Sequence, residues 1–474
     1  MALIKSISGI RGTIGGQPGD NLTPNDIVKF TLAYGSFVIE RNPDIKQKIV
    51  IGRDSRLSGE MTKNIVSGAL NSLGINVLDM GFASTPSVEM AVESQKAQGG
   101  IIISASHNPQ GWNALKLLDA RGEFLSKEEG ERILELAERD QDFNFVSEDK
   151  LGYYTLDAYL DQEHLKKILS LNLVNKELIA QKKFKIVVDG INSVGGLIVP
   201  GLLKELGVQN IVELNCEPNG QFAHKPEPIA ANLTQIMEVV KKEKADLGIV
   251  IDPDVDRLAF IDENGEMFSE EYTIVAIANY VLENFSLIDS ANPGKYLKNT
   301  VSNLSSSRAL YDITEGHGGK YEAAAVGEVN VVTKMKEIKA VIGGEGNGGV
   351  IFPELHYGRD ALVGIALFLS YLVKNNKKVS DLRYILPEYF MVKDRMELTP
   401  EINVKVVMEK IKLDYKSEKI TDIDGVKIDW PDSWVHLRAS NTEPIIRIYA
   451  EAKTLVRAES KVKEIKDKIL AYIK

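Results

Sequence analysis

The chain has 474 residues, 44% hydrophobic and 26% charged, which at roughly 100–200 residues per domain means three or four domains of ordinary globular composition rather than one core. Its formal net charge of -10 excludes a broad nucleic-acid footprint, which needs clustered Lys and Arg, yet leaves room for a small anion in a local basic pocket. A single cysteine, Cys216, excludes an intrachain disulfide and fits a reducing compartment.

The opening MALIKSISGIRG has no long apolar run, so no signal peptide is expected. KIVIGRDSR (48–56) is an apolar strand ending in a polar turn; an amphipathic stretch and a second strand, LGINVLDMG (73–81), follow. KIVVDGINS (185–193) and LGVQNIVELN (206–215) repeat that pattern. Both blocks read as β-α-β units, which implies α/β domains with largely parallel sheets. ALVGIALFLSYLV (361–373) is too short for a bilayer, which needs about 20 residues, and reads as a buried helix. VRAESKVKEIKDKILAYIK (456–474) is a closing amphipathic helix. The expected segments are 1–150, 151–265, 266–385 and 386–474, and the expected location is the cytoplasm.

Four loops carry chemistry. IIISASHNPQGWNALK (101–116) sets Ser106 and His107 at the mouth of an apolar strand; a hydrolase nucleophile, a phosphate carrier and a plain turn all fit. No G-x-S-x-G elbow surrounds Ser106. IVIDPDVDRLAFID (249–262) places Asp252, Asp254 and Asp256 just after another strand. Three close carboxylates repel one another unless a cation neutralises them, and hard oxygen ligands favour Mg²⁺ or Ca²⁺. A solvated acidic turn is the plain alternative. An EF-hand would place Glu263 at position 12, but position 6 is Arg257 rather than Gly. A haloacid-dehalogenase-like sugar phosphatase would use Asp252 as nucleophile, although its motif usually lies near the start of a chain. GGEGNGG (343–349) offers Glu345 and Asn347 to sugar hydroxyls, or is merely a turn; it lacks the Lys-Ser/Thr of a nucleotide loop. RASNTEPIIRIYAE (438–451) brackets Ser440, Asn441 and Thr442 with Arg438 and Arg447, a phosphate trap or a surface ion-pair cluster.

In this order the loops resemble the α-D-phosphohexomutase family of phosphoglucomutases, phosphomannomutases and phosphoglucosamine mutases, over nearly the whole chain. SGIRG (8–12) looks like the family's first phosphate-contact loop, ISASHNP its phosphoserine loop, DPDVDR its metal loop and GEGNG its sugar loop. RASNTEPIIR resembles its terminal phosphate loop. The resemblance implies three topologically related α/β domains with mixed sheets plus a smaller α+β C-terminal domain around one central cleft. It implies a phosphohexomutase that interconverts hexose 1-phosphate and 6-phosphate through phosphoserine 106 and a 1,6-bisphosphate, with Mg²⁺ held by Ser106, Asp252, Asp254 and Asp256. Arg257 supports that loop and His107 the serine loop. Arg11 and Lys116 assist, Lys116 as base with a depressed pKa. Glu345 and Asn347 read the sugar, while Arg438, Ser440, Asn441, Thr442 and Arg447 hold the second phosphate. A hexose 1,6-bisphosphate would serve as activator. The partners expected are a small sugar phosphate, no nucleic acid and no membrane, with a monomer or homodimer as the assembly. SASHNP and TEPxIR look more like phosphoglucosamine mutases; broad glucose and mannose phosphate specificity is the alternative. A non-catalytic sugar-phosphate sensor would bind without turnover. The sequence departs from the family pattern in four places. Pro253 and Val255 replace the metal-loop glycines, and Ala114 replaces the glycine of N-G-x-K. Val329 stands where a basic residue is common, and GEGNGG replaces GEMSGH or GEQSGH.

Overall fold

The buried run Gly99–Ile103 is the centre from which the first sheet is built. It pairs in parallel with Lys48–Arg53 and antiparallel with Trp112–Leu118. Lys48–Arg53 in turn runs parallel to Asn76–Phe82. Helix Gly59–Ser72 makes the crossover between those two strands, as the β-α-β pattern requires. The structure is a computed structural model that describes residues 3–6, 9–139, 143–397, 403–439 and 445–473. Its contacts divide into two units: Met1–Thr273 with Asn347–Asp381, and Ile274–Gly346 with Leu382–Lys474.

The first unit holds two sheets. The seven-stranded one has Ile4–Ser6, Gly9–Thr13 and Trp112–Leu118 on one side and Asn76–Phe82 and Tyr154–Leu156 on the other. The edge strand Tyr154–Leu156 pairs with Asn76–Phe82, so this sheet runs past residue 150, where a boundary was expected. The four-stranded sheet repeats the design. Leu247–Ile251 is parallel to Lys185–Asp189, which is parallel to Asn210–Leu214. Leu247–Ile251 also meets Leu258–Ile261 antiparallel. The serine loop and the acidic loop therefore occupy the same topological place, the turn from a central parallel strand into an antiparallel neighbour. Helix Ala361–Asn375 is buried through twelve of its fifteen residues. Its Phe368 stacks on Phe260 at 3.8 Å between ring centroids. The apolar run at 361–373 is thus the buried helix that the sequence indicated.

In the second unit Leu297–Asn303 runs parallel to both Tyr321–Ala324 and Ala340–Glu345. Those three parallel strands have the same order as in the other two sheets. The chain ends in a five-stranded antiparallel sheet of Phe390–Glu397, Ile445–Ala452, Ser433–Ala439, Val426–Asp429 and Lys419–Thr421. Helices Val404–Asp414 and Leu455–Ile473 supply Val407, Ile411, Val462, Ile465 and Ile469 to its core. Three related α/β domains with mixed sheets and a differently built α+β end are the architecture the sequence implied. Among the described residues no helix is long and apolar enough to cross a membrane.

Candidate active site

Ser106 follows a strand whose five residues are all buried, and its backbone turns left-handed at φ 45, a conformation that non-glycine residues rarely hold. Its Oγ donates to Asp252 Oδ2 at 2.6 Å. Its backbone N donates to Ser104 Oγ at 2.9 Å, and Ser104 Oγ donates to Asp54 Oδ2 at 2.7 Å. Asp54 pairs with Arg56 Nε at 3.0 Å, both side chains fully buried. The Arg56 guanidinium then collects the carbonyls of Ser106, Asn108, Pro109 and Trp112 at 2.6, 2.7, 2.8 and 2.9 Å. One cation thus sets the shape of the whole serine loop from beneath.

The acidic loop leaves its strand at Ile251, just before Pro253. Val255, one of the two residues standing for the usual glycines, takes φ 63. The loop thus keeps a glycine-like backbone with a β-branched side chain, at some local strain. Asp252, Asp254 and Asp256 are fully buried, and one oxygen from each lies within 4.8 Å of the others. Asp252 Oδ1 accepts from the backbone N of Asp256 and of Arg257, each at 3.0 Å. Asp254 Oδ2 accepts from Thr85 Oγ1 at 2.6 Å and from Lys116 Nζ at 2.5 Å. Asp256 Oδ2 accepts from Arg359 Nη2 at 2.7 Å and Lys116 Nζ at 3.3 Å. By contrast, Asp254 Oδ1 and Asp256 Oδ1 are buried without a hydrogen-bond partner among the described residues. Buried carboxylate oxygens left in that condition are costly, and a hard divalent cation is the species that suits them. The residues present therefore fit a Mg²⁺-type ion.

Charge is distributed unevenly here. Burial, then Asp256 and Asp254, push the Asp252 carboxyl well above the usual range. Burial would raise Asp256 too, but Arg359, Lys116 and Arg257 outweigh it and hold that carboxyl low. For Lys116 burial alone would lower the ammonium; Asp254 and Asp256 more than reverse this, so its pKa is raised. The depressed lysine expected of a base is not what this arrangement gives. The neighbours that decide are carboxylates rather than the arginines. His107 goes the other way: burial first, then Arg257, lower it well below its ordinary value. Its Nδ1 is buried with no hydrogen-bond partner among the described residues. Arg11 lies in the strand Gly9–Thr13 opposite Ala114 and is lowered by burial and by Arg257. Arg257 Nε stands 4.0 Å from Asp256 Oδ1.

The glycine loop is divided between the units. In the second, Glu345 is buried and its Oε1 accepts from Asn303 Nδ2 at 2.8 Å and from Gly327 N at 3.1 Å. In the first, Asn347 Oδ1 accepts from Gly349 N at 3.2 Å. Gly348, at φ +90, lies so close to Leu258 that a Cβ would stand 2.4 Å from its carbonyl oxygen. In the C-terminal sheet Arg438 and Arg447 are direct cross-strand partners, and Arg395 is the partner of Arg447 on the other side. Three guanidiniums side by side form a row that an anion would relieve. Arg438 Nε is held by Asp424 at 2.8 Å. Ser440, Asn441 and Thr442 lie outside the described residues.

Comparison with known proteins decides the family. Residues 3–143, 162–265 and 269–389 match the families described as phosphoglucomutase/phosphomannomutase, alpha/beta/alpha domains I, II and III. Residues 401–468 match the phosphoglucomutase/phosphomannomutase C-terminal domain. A phosphoglucomutase/phosphomannomutase of Thermococcus kodakarensis is 37% identical over 452 residues, covering 94% of this chain and 95% of that protein. The chain belongs to the phosphoglucomutase/phosphomannomutase family, the phosphohexomutases. A phosphoglucosamine/phosphogalactosamine mutase of Sulfurisphaera tokodaii is 33% identical over 98% of this chain and 99% of its own. A phosphoglucomutase/phosphomannomutase family protein of Burkholderia thailandensis superposes with a TM-score of 0.82 at 25% identity, covering 99% of this chain and 98% of its own. The phosphatase reading of Asp252 gains no support from these relatives.

For a phosphohexomutase site, sequence reasoning missed Arg56, Asp54, Thr85 and Arg359. GRDSR (52–56) reads as a polar turn, although three charges and a serine at a strand end are the available signal. Arg359 lay in the unremarked PELHYGRD (353–360), with no local pattern to mark it.

Proposed function

We propose that the chain is a Mg²⁺-dependent phosphohexomutase that interconverts glucosamine 6-phosphate and glucosamine 1-phosphate through phosphoserine 106 and a 1,6-bisphosphate. The observation that carries this reading is Ser106 Oγ bonded to Asp252 Oδ2 at 2.6 Å, beside the two oxygens of Asp254 and Asp256 that have no hydrogen-bond partner among the described residues. Asp252, Asp254, Asp256 and the phosphorylated Ser106 would hold the cation, which neutralises the charge that develops on a transferring phosphoryl group. Arg56 and Ser104 fix the loop so that the serine oxygen keeps its line of attack. Lys116 and Arg359 hold the outer oxygens of the aspartates. Arg11, His107 and Arg257 line the same loop pair. A hydroxyl that attacks phosphoserine must lose its proton to a group with a free lone pair. Lys116, held as an ammonium by Asp254 and Asp256, has none to offer and donates instead.

The second phosphate falls to Arg438, Arg447, Ser440, Asn441 and Thr442, and the sugar hydroxyls to Glu345 and Asn347. Glucosamine phosphate is favoured by SASHNP and TEPxIR and by the Sulfurisphaera relative's name. Glucose and mannose phosphates are the alternative, favoured by the name of the Thermococcus relative. A hexose 1,6-bisphosphate would prime Ser106, and the working location is the cytoplasm.

The test is a mutase assay on glucosamine, glucose and mannose 1-phosphates, with Mg²⁺, hexose 1,6-bisphosphate and a Ser106→Ala control. The highest kcat/KM is expected for glucosamine 1-phosphate, with no turnover by Ser106→Ala. Full activity of that variant would overturn the mechanism; a preference for glucose or mannose phosphate would overturn the substrate assignment.

A further inference from the structure

We propose that Arg359 limits Asp256 to a single ligating oxygen and so makes the cation site select Mg²⁺ over Ca²⁺. The inference rests on the divalent-cation site proposed above.

Arg359 is fixed from both sides. The next residue, Asp360, caps helix Ala361–Asn375 by accepting from Leu362 N at 2.8 Å and Val363 N at 3.2 Å through Oδ1. Its Oδ2 is met by His164 Nε2 at 2.9 Å and His356 Nε2 at 3.3 Å. The far nitrogens of those imidazoles are also engaged. His164 Nδ1 lies 3.0 Å from Ser87 Oγ, and His356 Nδ1 lies 3.4 Å from Glu89 Oε2. The backbone N of Ala361 donates to Val255 O at 3.2 Å, which ties this segment directly to the acidic loop.

From that anchor the Arg359 side chain crosses Gly349. A Cβ at position 349 would stand 2.4 Å from Arg359 Cδ, well inside van der Waals contact, so the path exists because the residue is glycine. Position 349 ends GEGNGG, where the related loops GEMSGH and GEQSGH carry His. The guanidinium ends 2.7 Å from Asp256 Oδ2, with its side chain only 11% exposed. That oxygen is thereby engaged by its nearest donor, with Lys116 Nζ farther off at 3.3 Å, and Oδ1 has no hydrogen-bond partner among the described residues.

The consequence follows from the two cations. Ca²⁺ takes six to eight oxygens and welcomes a carboxylate through both of its oxygens, while Mg²⁺ demands near-octahedral geometry and short bonds. Without Arg359, Oδ2 keeps only Lys116 Nζ at 3.3 Å, a longer contact that leaves it able to turn to the ion as one more ligand, which favours Ca²⁺. Removing the positive charge of Arg359 acts on both divalent ions alike, so it cancels in the ratio of their dissociation constants.

The experiment is titration calorimetry of Mg²⁺ and, separately, Ca²⁺ into the full chain with Ser106 unphosphorylated, as wild type, Arg359→Gln, Arg359→Lys and Gly349→Ala. The ratio Kd(Ca²⁺)/Kd(Mg²⁺) is expected to fall about tenfold in Arg359→Gln. It falls in the same direction in Gly349→Ala, which keeps every charge and only displaces the side chain, and less in Arg359→Lys. Circular dichroism identifies a misfolded variant; if Arg359→Gln fails to fold, Gly349→Ala decides. A ratio unchanged within about twofold in the folded variants, with both ions bound, overturns this inference and leaves the cation site standing. Failure of the wild type to bind either ion overturns the cation site itself.

Discussion

Replacing Arg56 by Met tests whether the serine loop is shaped from beneath. The guanidinium is 1% exposed and forms an ion pair with Asp54 at 3.0 Å. Removing one partner of such a buried pair costs about 3–5 kcal/mol, because the other charge stays behind uncompensated. The carbonyls of Ser106, Asn108, Pro109 and Trp112 lose a donor as well, and each that water cannot reach adds about 1 kcal/mol. Only the contact to the Ser106 carbonyl is fully buried, so the total is about 5 kcal/mol, a large part of a domain's stability. The assay pairs scanning calorimetry with hydrogen-exchange mass spectrometry on peptides across 101–116. Arg56→Met should lower the melting temperature of the first unit and strip protection from that peptide. A serine displaced by about 1 Å should cost about a hundredfold in kcat. In Asp54→Asn/Arg56→Met the buried charge is gone from both positions, so part of the stability should return, with a coupling of about 2 kcal/mol. The reasoning is refuted if Arg56→Met melts within about 1 kcal/mol of wild type and its loop peptide exchanges no faster.

Other outcomes follow from the same contacts. Burial pushes His436 down to about 4, so the unfolded chain binds the extra proton between about pH 4 and 6.5. Stability of the second unit is therefore full above pH 6.5 and falls by about 3 kcal/mol as pH drops to 4; His436→Gln should flatten that slope in acid-denaturation curves. Mg²⁺ at one hundred times its dissociation constant should stabilise the first unit by about 3 kcal/mol; the shift should vanish with EDTA and in Asp254→Asn, and persist in Ser106→Ala. Glu345→Gln keeps the shape but replaces the carboxylate that accepts from Gly327 N at 3.1 Å. It should raise KM for the sugar phosphate more than it lowers kcat, and an unchanged KM would remove Glu345 from sugar recognition.

Much of this was legible because catalytic loops sit where apolar strands stop. Ser106 and the three aspartates each follow a buried run, and a change from apolar to polar is the plainest signal a sequence offers. The parallel strands and buried helices announce themselves through their continuous apolar runs. What stayed hidden depends on partners far along the chain. Lys116 is raised rather than depressed because its carboxylate Asp254 lies 138 residues away. Arg56 serves backbone carbonyls, and carbonyls leave no mark in a sequence. Tyr154–Leu156 is short and exposed throughout, so it shows no alternation. Val255 adopts a positive φ that its side chain gives no reason to expect.

Helix Ala361–Asn375 lies in the first unit although the chain leaves that unit after Thr273 and returns at Asn347. On the ribosome, Phe260 and Phe268 therefore emerge long before Phe368, the ring both of them pack against. At the usual pace of synthesis the delay is on the order of 5–20 s. For that interval the nascent chain displays aromatic surface with no cover, and a fragment cut after residue 273 would display it permanently. Vectorial synthesis thus makes the first unit dependent on sequence read much later, and an expression fragment of it has to carry residues 347–381 to be complete.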